Sequence, residues 1–285
     1  MDKIEEIEVL NGKKNHCKLL ASDGKEYILK KVCIPNQRLA EFTKITKIEV
    51  PSFQRILQVE KTTNKDEYSV VAEWIEGCTF NSILYNITDI QKQHYVKVIA
   101  NKLKNIHVTY EQQYNVSFTE KDVERILDQE FLKPEIKELL LSYMISKLPL
   151  INSRFPTIVH GDMHIGNILI TKADDIVFID LDDVRFGDAF IDLVYAANII
   201  LSKEEYSTYY LFLKYYFDDK LPQEFWPVVN FYSICKAIMI MKEEVLNSVN
   251  GQPILSIDSF IQQHDGLKKE EPYWYKELYN VDHRG

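Results

Sequence analysis

The sequence predicts an α+β chain with two lobes, a strand-rich part spanning residues 1–76 and a mostly helical part spanning residues 77–285. Three observations point there. Near the start, short runs alternate apolar and polar residues, and Asp23-Gly24 between two of them is a hairpin signal. From Cys78 onward the apolar spacing becomes helical. Within that second part, two short β-rich runs, Asn167–Thr171 and Ile176–Asp180, flank the polar turn Lys172-Ala173-Asp174-Asp175 and read as another hairpin.

In the first part, residues 4–10, 16–22 and 26–32 are strand candidates, and Asn11-Gly12-Lys13-Lys14-Asn15 is the first turn. Residues 36–45 place Leu39, Phe42 and Ile45 at helical spacing, and Pro51 ends that segment. Residues 55–58 and 68–75 read as two further strands.

In the second part, Thr88-Asp89-Ile90-Gln91 is a capping box. Behind it Ile90, Val96, Ile99, Leu103 and Ile106 form an apolar stripe down to His107, read as a packed structural residue. Helices are expected over residues 119–128 and 134–148, before Arg154-Phe155-Pro156 breaks the pattern. A second capping box, Ser202-Lys203-Glu204-Glu205, opens a Tyr- and Phe-rich helix ending near Asp218. Residues 222–225 interrupt it, residues 227–246 read as a long buried helix, and residues 257–263 as a short one.

A length of 285 residues fits one large or two modest domains with a substantial core. With 46% apolar and 27% charged residues, the composition is that of a soluble globular protein. The net charge of −9, with no basic stripe, argues against nucleic-acid binding. Cys17, Cys33, Cys78 and Cys235 lie far apart without a C-x-x-C pair, so reduced thiols are expected. The N-terminus lacks the pattern of a signal peptide, and no apolar run reaches the ~18 residues of a membrane span. A cytoplasmic monomer without membrane partners is the expectation.

The chemistry concentrates in His160-Gly161-Asp162-Met163-His164-Ile165-Gly166-Asn167. Its H-x-D-x-x-x-x-N spacing is that of a phosphoryl-transfer loop. Such a loop needs a carboxylate to accept the proton of the attacking hydroxyl, which assigns Asp162. It also needs an amide and a second carboxylate to hold magnesium against the nucleotide phosphates, which assigns Asn167 and Asp180. If Thr171 pairs with Ile176, Asn167 falls opposite Asp180, with Cβ atoms roughly 5 Å apart. A Gly-Asp dipeptide alone marks only a turn. The motif spacing, the flanking apolar strands and the returning Asp together carry the assignment.

This motif, followed by Ile179-Asp180, resembles the aminoglycoside phosphotransferase and choline kinase-like family of small-molecule kinases, which have a protein-kinase-like fold. The resemblance implies ATP or GTP as donor, Mg2+ as cofactor and a small-molecule acceptor, with the nucleotide in a cleft between the lobes. It places the first turn over the phosphates. It also puts a phosphate-neutralising lysine on the third strand. Lys30 shares a face with Ile28 and Val32, and Lys31 with Tyr27 and Leu29; periodicity does not choose, while the resemblance favours Lys30. Glu41 stands where the partner of that lysine is expected. Residues 72–77 occupy the hinge, so the backbone at Glu73 and Ile75 would meet the purine, with Leu169 and Ile179 as apolar floor. His160 would anchor the catalytic loop and Asp192 brace it.

For the acceptor, the resemblance and the acidic charge suggest a cationic, polyhydroxylated molecule, an aminoglycoside first. Asp182, Asp183, Glu243 and Glu244 offer carboxylates, and Trp226 and Tyr232 read either as a quaternary-ammonium cage or as core. Choline or another amino alcohol, a sugar and a macrolide stay open as acceptors, as does a catalytically inactive nucleotide-binding regulator. A protein substrate is disfavoured, because only a few residues separate Asp180 from Gly187-Asp188 and leave no activation segment.

Overall fold

The computed structural model describes residues 4–9, 16–21, 24–197, 203–247 and 256–282. The expected turn at residues 11–15 and the capping residue Ser202 lie outside these. Two compact units form, Met1–Ile87 with His160–Phe186, and Thr88–Val159 with Gly187–Gly285.

The first unit contains a five-stranded antiparallel sheet. In chain order its strands are β1 (Ile4–Val9), β2 (His16–Ala21), β3 (Glu26–Cys33), β4 (Ile56–Lys61) and β5 (Glu67–Glu73). They lie side by side as β1-β2-β3-β5-β4. The alternation read in β3 becomes a burial pattern: Lys30 and Val32 point inward, Lys31 and Cys33 outward. Helix α1 (Asn36–Thr46) buries Phe42 and Ile45. A second sheet has the order β6-β8-β9, from β6 (Gly77–Thr79), β8 (Ile168–Thr171) and β9 (Ile176–Phe178). Strand β6 begins where a helical pattern was expected. Gly77 permits it, because a Cβ there would collide with the Ile170 carbonyl. The short helix α2 (Phe80–Ile83) follows.

The second unit is mainly helical. Helix α3 (Asp89–Thr109) has the expected capping box, with the Gln91 N–H donating to Thr88 Oγ1. Val96, Ile99, Leu103, Ile106 and His107 are buried, but Ile90 is 82% exposed, so the buried stripe starts at Val96 and not at Ile90. Helix α4 (Glu120–Leu127) has its own capping box between Thr119 and Asp122. Helix α5 (Pro134–Ile151) runs past the expected end and carries Pro149 in its last turn. After β7 (Pro156–Val159), β10 (Arg185–Asp188) takes the chain into a 3-10 turn at Ala189–Ala197. Helix α6 (Lys203–Tyr216) is followed by α7 (Phe225–Asn247), which opens two residues before Pro227. Proline is tolerated there because a first-turn N–H has no intrahelical partner. Helix α8 (Asp258–Gln263) matches the expectation, whereas α9 (Tyr273–Asp282) was not anticipated.

Candidate active site

The hairpin forms, with a register one residue away from the expected one. Ile168 pairs with Phe178, Leu169 with Val177 and Ile170 with Ile176. The loop has three residues rather than four. The Thr171 N–H donates to the Asp175 carbonyl at 2.8 Å, and Asp174 adopts a left-handed conformation with φ 61°. Asn167 therefore faces Ile179, whose N–H donates to the Asn167 carbonyl at 2.9 Å, and does not oppose Asp180. Asp180 lies past the end of β9, itself left-handed at φ 66° and ψ 58°. Its side-chain direction follows from that turn and not from strand alternation.

Asp180 points to Lys30, whose Nζ donates to Asp180 Oδ1 at 2.7 Å and also contacts Asp182. The Lys30 side chain is only 4% exposed, while Lys31 is exposed. Burial raises the Asp182 carboxyl above its ordinary range; the Lys30 cation pulls the other way, and Asp180 and Asp183 add to the rise. The expected Lys30–Glu41 pair is not formed. Glu41 Oε1 accepts the Phe186 N–H at 2.7 Å instead. Asp182 and Asp183, expected to face an acceptor, are engaged within the unit, the latter by Arg38 at 3.0 Å.

The loop that carries Asp162 is held from both ends. His160 is fully buried; its Nε2 donates to the Ile179 carbonyl at 2.8 Å, and its Nδ1 accepts the Asp162 N–H at 3.3 Å. These partners define the neutral Nε2–H tautomer. Gly161 sits at φ +84°, and a Cβ there would strike the Asp183 carbonyl and the Arg185 guanidinium. Asn167 ends the 3-10 turn Ile165–Asn167 and is buried, its Nδ2 donating to the Asp162 carbonyl at 3.0 Å. The amide oxygen is thereby turned away from that bond. His164 Nε2 lies 3.7 Å from Asp162 Oδ2, a neighbour of the candidate base that the motif pattern did not flag.

At the end of β5, the Glu73 N–H donates to the Arg55 carbonyl at 3.0 Å, and its carbonyl accepts from Gln54 Nε2 at 2.8 Å. Ile75 is half-buried just beyond. Leu169 is buried in the three-stranded sheet between Thr79 and Val177, and Ile179 is half-buried. Gln54 was missed by sequence reading; its only signal is a polar residue just after Pro51-Ser52-Phe53, which a linear pattern reads as loop.

In the second unit, Asp192 is buried against His107 Nε2 at 3.1 Å, and His107 Nδ1 meets the Tyr216 hydroxyl at 2.6 Å. Asp188 receives the Arg154 guanidinium and the Tyr232 hydroxyl, and Arg154 stacks on Phe190 at 3.8 Å. Both acids hold packing networks. Trp226 and Tyr232 are buried, so of the two readings offered for them, core packing is the one observed.

Among the described residues, no group of three or more His, Cys, Asp or Glu side chains is gathered as a metal cage. The donors that are present, the Asp180 and Asp182 carboxylates and the Asn167 amide oxygen, are hard oxygens. That set fits Mg2+, which takes one or two carboxylates and completes its shell with water and substrate phosphates. No helix among the described residues is long and apolar enough to cross a membrane.

No curated protein sequence matches the chain. Solved structures do. An aminoglycoside-3'-phosphotransferase of type VIII aligns at 17% identity over 82% of this chain and 93% of that chain, with TM-score 0.57. The choline kinase LicA from Streptococcus pneumoniae aligns at 16% identity over 98% and 92%, with TM-score 0.55. A streptomycin–ATP–APH(2")-IIa ternary complex aligns at 14% identity over 92% and 91%, with TM-score 0.54. At these identities the likeness establishes the fold, that of the aminoglycoside and choline kinases. The sequence profile of the phosphotransferase enzyme family, APH, matches residues 22–222, well over half the chain. With the profile and the fold in agreement, the chain belongs to the phosphotransferase enzyme family.

Proposed function

We propose that this protein transfers the terminal phosphoryl group of ATP or GTP to a hydroxyl of a small molecule, with an aminoglycoside-type acceptor as the leading reading. The observation that carries it is the arrangement within one compact unit: Lys30 pairs with Asp180, while His160 ties the loop of Asp162 to the hairpin at Ile179. In this reading Asp162 accepts the acceptor's proton as its oxygen attacks. Asn167 and Asp180 would hold Mg2+, which when bound neutralises charge developing on the phosphates. Lys30 would exchange a carboxylate partner for phosphate oxygens, and the Glu73–Ile75 backbone, with Leu169 and Ile179, would bound the purine. His160 and Asp192 act by holding geometry. In this reading the lobes divide near residues 76 and 77, whereas the compact units group residues 77–87 and 160–186 with the strand-rich part.

Support for the acceptor class comes from relatives of the same fold, one solved with streptomycin and ATP, and from the net charge of −9, which would concentrate amino-bearing molecules. A choline or amino-alcohol acceptor is the second reading. It rests on the choline kinase likeness.

The test is a screen of aminoglycosides, amino alcohols, sugars and macrolides for acceptor-dependent ADP or GDP release. Asp162→Ala should lower turnover by ~10²–10⁴-fold while nucleotide affinity is kept. Tight nucleotide binding with no turnover on any acceptor would favour an inactive regulator instead. Near-normal turnover in Asp162→Ala would remove Asp162 from the mechanism.

A further inference from the structure

Three consecutive residues between α1 and β4 touch three parts of the candidate site, all within the first unit. Ser52 and Gln54 bracket Phe178 in β9: the Phe178 N–H donates to the Ser52 carbonyl at 2.7 Å, and the Gln54 N–H donates to the Phe178 carbonyl at 2.8 Å. The two segments thereby form an isolated parallel bridge between Phe53 and Phe178. Phe178 stands two residues before Asp180. The Phe53 ring meets the His160 imidazole edge-on, 5.9 Å between centroids, and meets the Phe178 ring in the same way at 6.1 Å. Gln54, 9% exposed as a residue, donates from its carboxamide to the Glu73 carbonyl at the end of β5.

This connection is held against cost. Ser52 is a non-glycine residue at φ 68°, a left-handed conformation disfavoured for an L-residue. The turn it makes presents its carbonyl to Phe178. A buried carboxamide also needs its hydrogen bonds met, so Gln54 is tied to Glu73 and not merely packed beside it.

We propose that Ser52–Gln54 is a strap coupling the purine-facing end of β5 to the metal hairpin, and that Gln54 is its positioning residue. Gln54 touches no reacting atom. It acts through Glu73 on one side and through Phe178, hence Asp180, on the other. Occupation of the purine edge and placement of the Asp180 carboxylate then become one event. The strap also limits what Glu73 can offer a purine: one lone pair of its carbonyl is taken by Gln54, and its N–H is taken by Arg55. The inference rests on the phosphotransferase reading for its kinetic consequences, and on the hydrogen bonds alone for its structural ones.

Gln54→Met separates the two, because it keeps side-chain length and burial and removes the amide donor. Hydrogen–deuterium exchange on the full-length protein reads the strap without any substrate. The Phe178 and Glu73 amides should exchange about 3–10-fold faster, the scale of one net hydrogen bond, with α3 amides unchanged. In turnover assays, the nucleotide KM and the Mg2+ concentration for half-maximal rate should rise together by a similar factor, with the acceptor KM within twofold of the parent. Unchanged exchange at Phe178 and Glu73 overturns the strap whatever the activity. Faster exchange with nucleotide and acceptor KM rising equally overturns the specific coupling and leaves general loosening. Faster exchange in a protein whose parent turns over no nucleotide supports the strap and counts against the phosphotransferase reading.

Discussion

Replacing Lys30 with methionine tests the centre of the candidate site most directly. The substitution keeps the length of the stem and removes one charge. Lys30 is buried to 4% side-chain exposure and faces two carboxylates, Asp180 at 24% and Asp182 at 35% exposure. Removing one partner of a fully buried ion pair costs ~3–5 kcal/mol, because a charge is left without compensation. Here the carboxylates keep access to water, so the cost falls lower, at about 2–3 kcal/mol. At roughly 2–4 °C per kcal/mol for a chain of this size, the melting temperature should drop by about 4–12 °C. Mg2+ should recover part of that loss, since the freed carboxylates are hard oxygen donors. Lys31→Met is the internal control: Lys31 is exposed on the same strand, and its loss should stay within about 0.5 kcal/mol. Denaturant midpoints of both variants, with and without Mg2+, and nucleotide turnover of each form the assay. Equal stability and equal nucleotide KM in the two variants would refute the reasoning, and a larger turnover defect in Lys31→Met would move the phosphate role to Lys31.

Two further outcomes follow from particular geometry. Gly161→Ala should destabilise by more than the ~1–2 kcal/mol of a left-handed L-residue, because its Cβ would meet backbone at Asp183, and should displace Asp162; an unchanged denaturant midpoint with full turnover would show that the close approach is not needed. His264 is buried, and burial holds its imidazole below the ordinary 6.5 although the Lys269 and Glu270 backbone pulls upward. The unfolded chain then takes up a proton near pH 6.5 while the folded chain takes it up only at lower pH, so stability is full above 6.5 and falls as pH drops below it. Denaturant midpoints from pH 7.5 to 5 should decline less steeply in His264→Gln than in the parent; parallel slopes would exclude His264 as the cause.

The strand candidates of the first unit, the capping box at Thr88 and the stripe from Val96 to Ile106 were legible in the chain because each rests on neighbours within a few residues. Helix α9 was passed over because its apolar residues, Trp274 and Tyr275, follow Pro272 in a stretch crowded with charge, and only tertiary burial marks them as a face.

By itself the sequence determined the α+β class, the H-x-D-x-x-x-x-N spacing, the return of an Asp after a hairpin and the family those residues resemble. It did not decide which lysine is buried, because alternation gives Lys30 and Lys31 equivalent apolar neighbours and only packing tells the faces apart. It misplaced the hairpin by one residue, because a left-handed Asp174 closes a three-residue loop and a left-handed Asp180 leaves the strand, and Asp adopts that conformation only where its surroundings hold it there. The expected Lys30–Glu41 pair gave way to Asp180 and Asp182, and Gln54 came to link β5 with the hairpin. These partners lie tens of residues apart or more, and the energy that selects one acceptor over another comes from desolvation and close approach. Those quantities exist only once the chain has folded.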